Sequence, residues 1–171
     1  MDFNGFVRRI DNLGRIVIPK EIRNNLKLKN EDCLEICVEN DAIVLRKKNL
    51  FKNYYDSLEN IINVMSNSFD CNIILTDNDK FLYCCGIFVN SLLDNEINSH
   101  VYESIKSRKK VIKENTNFIN LHGISYVLYP IIINGDAIGS VIIIRNAYNL
   151  KSEDVFCAEI IRDLVIKNLE V

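Results

Sequence analysis

The sequence predicts an α+β protein in two parts: a small β-β-α-β-β unit over residues 1–50, and a larger domain over 51–171 in which helices flank an antiparallel sheet. Three observations predict it. Short apolar runs are joined by tight-turn residues, at Asp11-Asn12-Leu13-Gly14 and at Asn134-Gly135. Between Cys33 and Glu39 the pattern has period two: Leu34, Ile36 and Val38 point one way, and Cys33, Glu35, Cys37 and Glu39 the other. Through 51–69, by contrast, Phe51, Tyr55, Leu58, Ile62, Met65 and Phe69 recur at the three- and four-residue spacing of a helix.

Each element follows in order. Residues 5–10 and 15–18 read as short strands around the first turn. Pro19 suits the first position of a helix, where its missing N–H costs nothing. In the helix 20–27, Ile22 and Leu26 make an apolar stripe, while Lys20, Arg23 and Lys27 line another face. The alternating strand then turns at Asn40-Asp41 into Ile43-Val44-Leu45, closing a hairpin that ends in Arg46-Lys47-Lys48. After the helix 51–69 come strands 72–76 and 81–85. The series Leu93, Ile97, Val101 and Ile105 predicts a helix over 93–107. The polar stretch 108–123 reads as irregular. A hairpin follows, with strands 126–133 and 137–144 joined by the type I′ pair Asn134-Gly135, and Pro130 implies an edge or bulge in its first strand. Ser152 reads as the cap of a last, heavily apolar helix, with Glu153 and Asp154 in its first turn.

Bulk properties bound the function. With 171 residues, 48% of them hydrophobic, the chain can build a real core and is no disordered polymer. No apolar run reaches the ~18 residues of a membrane span. The start Met1-Asp2-Phe3-Asn4 is acidic and polar, unlike a signal peptide, so the expected compartment is the cytoplasm. The net charge of −2 hides a split: residues 1–50 carry ten Lys/Arg against eight Asp/Glu, and residues 51–171 eleven against fifteen. Six cysteines (Cys33, Cys37, Cys71, Cys84, Cys85 and Cys157) and two histidines form no C-x-x-C pair. On one strand Cys33 and Cys37 would stand about 13 Å apart, too far to chelate one ion. Reduced thiols serving as small apolar side chains are the expectation, with no metal, no cofactor and no catalytic residue.

The first fifty residues hold too few large apolar side chains to bury a stable core alone, so the expected partner is a second copy of the same unit. The run Arg9-x-Asp11-x-Leu13-Gly14-Arg15-Ile16-Val17-Ile18-Pro19-x-Glu21-Ile22-Arg23 resembles the AbrB-type swapped-hairpin DNA-binding domain. The likeness continues through Leu34-Glu35-Ile36 and Ile43-Val44-Leu45-Arg46-Lys47. The whole chain is similar to sporulation regulators in which this module precedes a GAF-like domain. There the match rests on Tyr129-Pro130-Ile131, Asn134-Gly135-Asp136-Ala137-Ile138-Gly139 and the closing helix. The resemblance implies a dimeric swapped-hairpin β-barrel followed by a GAF-like sensor or oligomerisation domain. It departs at one point: members often carry two consecutive arginines after the proline, and here the pair is Arg23-Asn24.

The implied function is a sequence-specific, cytoplasmic and nucleoid-associated transcription regulator of sporulation genes. Its partners would be double-stranded DNA, itself as homodimer or tetramer, and an unknown small-molecule effector. Arginine suits this chemistry because its fork pairs with a phosphate or with the major-groove edge of guanine. The resemblance points to Arg8, Arg9, Arg15 and Arg23 as the DNA-binding set; the charge pattern adds Lys20 and Lys47. Ile16, Ile18, Leu34, Ile36, Val38 and Leu45 are the expected dimer contacts, and Tyr83, Tyr126 and Tyr129 a candidate ligand pocket. The rivals are an antitoxin-type DNA-binding protein and a thiol-based redox sensor or enzyme.

Overall fold

The computed structural model describes residues 5–28, 32, 34–48, 50–87, 89–146 and 150–169; Cys33 and the residues 1–4 lie outside them. The chain divides into two compact units, 1–49 and 50–171. Among the described residues, no helix is long and apolar enough to cross a membrane.

In the first unit, residues 5–10 and 15–19 carry no strand ladder within one chain, contrary to the strands expected there. Only the head of their turn closes: Gly14 N–H donates to Asp11 O at 2.9 Å, and Asp11 N–H to Arg15 O at 3.0 Å. Gly14 sits at φ +76°, as the left-handed residue of such a turn requires. Helix α1 (Lys20–Asn25) is shorter than the expected 20–27, and Pro19 is its N-cap rather than its first residue. Lys27 takes φ 51°, and Leu28 N–H donates to Arg23 O at 2.8 Å, a Schellman ending that stops the helix. Strands β1 (Leu34–Glu39) and β2 (Ala42–Lys47) form an antiparallel hairpin, and positive φ at both Asn40 and Asp41 gives the type I′ turn. The register pairs Ile36 with Leu45 and Val38 with Ile43, so Leu34, Ile36, Val38, Ile43 and Leu45 share one face. Ile36, Val38 and Ile43 on that face are 70%, 79% and 70% exposed.

The second unit holds helix α2 (Tyr55–Phe69), strands β3 (Asn72–Asp77) and β4 (Phe81–Cys85), helix α3 (Ser99–Lys106), strands β5 (Val111–Phe118), β6 (Leu121–Ile133) and β7 (Asp136–Asn146), and helix α4 (Ser152–Leu169). All sheet pairings are antiparallel, in the order β4-β3-β7-β6-β5. Both faces are covered. On one, Ile73, Leu75, Val127, Val141 and Ile143 pack with Leu58 and Ile62 of α2 and Ile161 and Val165 of α4. On the other, Ile74, Leu128, Ile142 and Ile144 pack with Val101 and Ile105 of α3. That is why the central strands read as continuous apolar runs. The Asn134-Gly135 turn forms with φ 51° and 85°, and Pro130 stands beside a register shift at Ile131/Ile132, past the last β5 partner Leu128.

Three expectations need correction. The helix expected over 93–107 begins only at Ser99, because Asp94 turns left-handed (φ 62°) and Asn98 caps the start, accepting from Val101 N–H at 2.9 Å. The stretch 108–123 is not irregular: it contains β5 and the start of β6, with register shifts that disguise the alternation. Ser152 is the first residue of α4 rather than its cap. The capping oxygen belongs to Asp154, which accepts from Lys151 N–H at 2.8 Å.

Asp154 is fully buried, and Arg145 of β7 meets both its oxygens at 2.8–3.2 Å. The same guanidinium donates to Phe69 O at 2.9 Å and to Asp70 O, satisfying carbonyls at the end of α2. One ion pair thus fastens β7, α2 and α4. Removing the carboxylate leaves a largely buried cation unpaired, so Asp154→Ala is expected to destabilise the second unit by about 3–5 kcal/mol in urea unfolding. A loss below about 1 kcal/mol would show that the pair is no clamp.

Candidate nucleic-acid interface

The basic residues of the first unit stand on three local structures. Arg8 and Arg9 lie on the extended arm, Arg15 on the turn, and Lys20 and Arg23 on α1; all five are exposed. The Arg8 guanidinium carbon lies 6.0 Å from the Phe6 ring centroid, and its Nη1 donates to Val7 O at 3.1 Å. The side chains of Arg9, Lys20 and Arg23 enter no ion pair among the described residues.

The turn is organised by Asp11, whose role the sequence pattern did not reveal. Its Oδ1 accepts from the backbone N–H groups of Leu13 and Arg15, both at 2.9 Å, and its Oδ2 accepts from Arg15 Nε at 2.7 Å. The signal was available: an Asp opening a four-residue turn commonly bonds the backbone ahead of it. Arg15 is therefore tethered through Nε, while its terminal nitrogens make no hydrogen bond among the described residues. The Arg15 backbone N–H, and then its guanidinium, hold the Asp11 carboxyl below its ordinary value.

Lys47 is placed differently from the rest. It ends β2 on the same face as Leu45 and pairs with the nearly buried Asp32 at 3.0 Å. Arg46, on the opposite face, pairs with Glu39 at 2.7 Å. An ion pair already engages Lys47, whereas Lys20 and Arg23 point their charges to solvent.

The expected dimer contacts are mostly uncovered. Ile16, Ile36 and Val38 are exposed, and Ile18, Leu34 and Leu45 half-buried. Phe6, Val7, Ile10, Leu13, Val17, Leu26 and Ile43 are exposed as well.

The three tyrosines do not converge on one pocket. Tyr126 is fully buried on the α3 side of the sheet, its ring 5.1 Å from Phe118 edge to face, and burial pushes its hydroxyl upward in pKa. Tyr129 and Tyr83 lie on the opposite side, on strands separated by β3 and β7. Tyr83 donates to Tyr55 O at 2.7 Å, and desolvation lifts it to about 12. Tyr129 carries the Arg162 guanidinium 4.9 Å from its ring centroid. A cleft of about 520 Å³ does exist, but elsewhere, lined in part by Ser66, Asp70, Asn72, Arg145 and Lys151. Among the described cysteines Cys71 and Cys157 are buried and Cys37, Cys84 and Cys85 half-buried; desolvation lifts Cys84 to about 12, and a hydrogen bond with Cys157 raises Cys71.

In a carbon-detected NMR titration, Asp11 is expected to protonate below the ordinary carboxyl range. Because its folded pKa is depressed, its bonds hold the turn above the ordinary value and are lost as pH falls through the lowered one. Arg15→Ala should raise the midpoint only in part, since the backbone N–H bonds remain; an ordinary midpoint in the parent chain would rule out the tether.

Comparison with known proteins matches both units. Residues 48–170 match the family described as stage V sporulation protein T C-terminal, transcription factor, and residues 7–53 that of antidote-toxin recognition MazE, bacterial antitoxin. Stage V sporulation protein T of Bacillus subtilis (strain 168) is 33% identical over 150 residues, covering 84% of each chain. The transition state regulatory protein AbrB of the same organism is 47% identical over 47 residues, 28% of this chain and 49% of that one. Among solved structures, the GAF domain of an Acinetobacter phosphoenolpyruvate-protein phosphotransferase aligns with TM-score 0.55 at 12% identity, over 68% of this chain and 81% of that one. The type II free methionine-R-sulfoxide reductase of Thermoplasma acidophilum aligns with TM-score 0.55 at 14% identity, over 71% of this chain and 95% of that one. These two likenesses are of fold, and the first marks the α+β sheet as GAF-like. With its second unit matched throughout and a third of its residues shared along most of its length, the chain belongs to the stage V sporulation protein T family.

Proposed function

We propose that this protein is a sequence-specific DNA-binding transcription regulator of sporulation genes, working in the cytoplasm on the nucleoid as a homodimer. One observation carries the reading: in the same small unit, the guanidinium groups on the arm, turn and helix are exposed and so are most of the large apolar side chains. A second copy laid on the face of Ile36, Val38 and Leu45 and on Ile16 and Ile18 buries those side chains and doubles the basic set. Arg8, Arg9, Arg15, Lys20 and Arg23 are the DNA contacts of this reading, with Lys47 secondary because Asp32 engages it. The 47% identity to AbrB over the first unit supports the assignment.

The GAF-like unit then serves self-association or effector sensing. Outward-facing Phe156 and Leu164, with half-buried Ile160 between them, favour self-association through α4, which would join two dimers into a tetramer. An antitoxin reading has the match over residues 7–53 in its favour; copurification of a toxin would select it.

If the dimer makes roughly 6–10 phosphate contacts, duplex affinity is expected to fall on the order of 10³–10⁵-fold between 50 and 200 mM salt in an anisotropy titration. A flat salt response would exclude the regulator. Arg15→Ala should weaken duplex binding at least about tenfold while sedimentation still reports the parent's assembly. Val38→Asp, which puts a charge into the apolar face, should instead break the dimer and DNA binding together. A Val38→Asp protein that remains dimeric through its first unit would displace the proposed interface.

A further inference from the structure

The Arg145 clamp joins the end of α2 to the start of α4, and it brings two thiols together just inside it. Its guanidinium bonds Asp70 O and both oxygens of Asp154. Cys71 follows Asp70 directly, and Cys157 stands one helical turn beyond Asp154 on the same buried stripe of α4. The two side chains pack in one core cluster and share a hydrogen bond. The backbone of Cys71 is pinned: its N–H donates to Ser66 O at 3.2 Å, and Ser66 Oγ donates to its carbonyl at 2.6 Å. Cys157 is fully buried, whereas Cys71 keeps 5% exposure and lines the cleft of about 520 Å³. The other described thiols of the unit are directed elsewhere. Cys85 donates to Asn63 Oδ1 at 3.2 Å, and Cys84 packs on the opposite side of the sheet. The bond from Cys71 lowers the Cys157 thiol, against burial and with help from the Arg145 charge; the same bond, together with burial, raises Cys71. Cys71 therefore keeps its proton and Cys157 is the sulfur that carries negative charge.

We propose that Cys71 and Cys157 are a peroxide-sensitive pair that closes a reversible disulfide between the α2–β3 junction and α4. Hydrogen peroxide is small enough to reach the Cys71 sulfur from the cleft that this residue lines. As Cys71 Sγ attacks one peroxide oxygen, its proton passes along the shared bond to the Cys157 thiolate. The O–O bond breaks, the second oxygen leaves as hydroxide, and Cys71 becomes a sulfenic acid. The Cys157 sulfur then attacks the Cys71 sulfur. Its proton departs with the sulfenic hydroxyl as water, and the S–S bond forms. Two electrons have passed from the two sulfurs to one peroxide, and a dithiol such as dithiothreitol returns them. The bond closes the long stretch of chain between Cys71 and Cys157 into a loop, which restricts the unfolded chain far more than the folded one.

The test treats the full, folded chain with hydrogen peroxide, caps the remaining thiols by alkylation in denaturant, and cuts the chain after Lys and Arg. Cys71 and Cys157 are then each the single cysteine of their peptides, 53–80 and 152–162. Mass spectrometry is expected to find these two peptides linked in most molecules and released by dithiothreitol. In an equal mixture of chains grown on natural and on heavy nitrogen, the linked peptides should carry matched isotopes, because the bond lies within one chain. The melting midpoint should rise by at least about 5 °C on oxidation and return on reduction. Recovery of peptide 53–80 with a free, alkylated thiol overturns the proposal. So does its linkage to 81–106, which holds Cys84 and Cys85, or a linked pair of mixed isotopes. A link that leaves the melting midpoint unmoved overturns it too, since such a bond forms only in opened molecules.

Discussion

The first unit is governed by a deficit of burial. A hairpin, a six-residue helix and an extended arm leave most of their large apolar side chains facing water, Val7, Val38 and Val17 among them. At about 25 cal/mol per Å² such surface is a strong driving force for association, and the described residues hold no metal cluster that would stabilise the unit in its place. The extended runs 5–10 and 15–19 point the same way, since their backbone groups find no ladder inside one chain. The homodimer proposed above would answer two shortages at once, of apolar contact and of backbone partners, and would bring a second set of arginines to the first.

The second unit solves the opposite problem. Its central strands are greasy on both faces, and each face is roofed, by α2 and α4 on one side and α3 on the other. A closed arrangement of that kind needs its helix ends satisfied, and the Arg145–Asp154 pair does so for two helices simultaneously. Where Gly139 crosses β3, even a Cβ would come within 2.0 Å of Thr76 O, so the sheet centre admits no side chain there. The candidate pocket tyrosines are absorbed into this double core, Tyr126 on one side and Tyr83 and Tyr129 on the other. Sequence alone offers these aromatic strand residues equally as pocket lining or as core, and the strand order and the alternation of faces separate them.

Much of this architecture was legible. The Asn134-Gly135 hairpin, strands β3 and β4, and helix α2 follow from turn chemistry and periodicity, and the N-terminal motif located the arginines. What escaped had physical causes. Strand β5 is an irregular edge, with positive φ at Asn115 and register shifts on either side of Thr116, so its polar residues mimic a loop. The helix at 93–107 was overextended because Leu93 and Ile97 keep helical spacing with Val101 while Asp94 breaks the backbone. Charge partners were the least legible of all. That Asp11 engages Arg15 depends on turn geometry, and that Asp32 engages Lys47 depends on the hairpin register that sets Leu34 opposite Lys47; spacing alone encodes neither.

The Asp11–Arg15 tether has a consequence for recognition. A free arginine samples many rotamers and must surrender that freedom on meeting an anion. Held by its inner nitrogen, Arg15 gives up part of that freedom in advance, on a turn that the same carboxylate bonds. In the DNA-binding role proposed above, a side chain so biased would favour a group offering two acceptors along the outer edge of its fork.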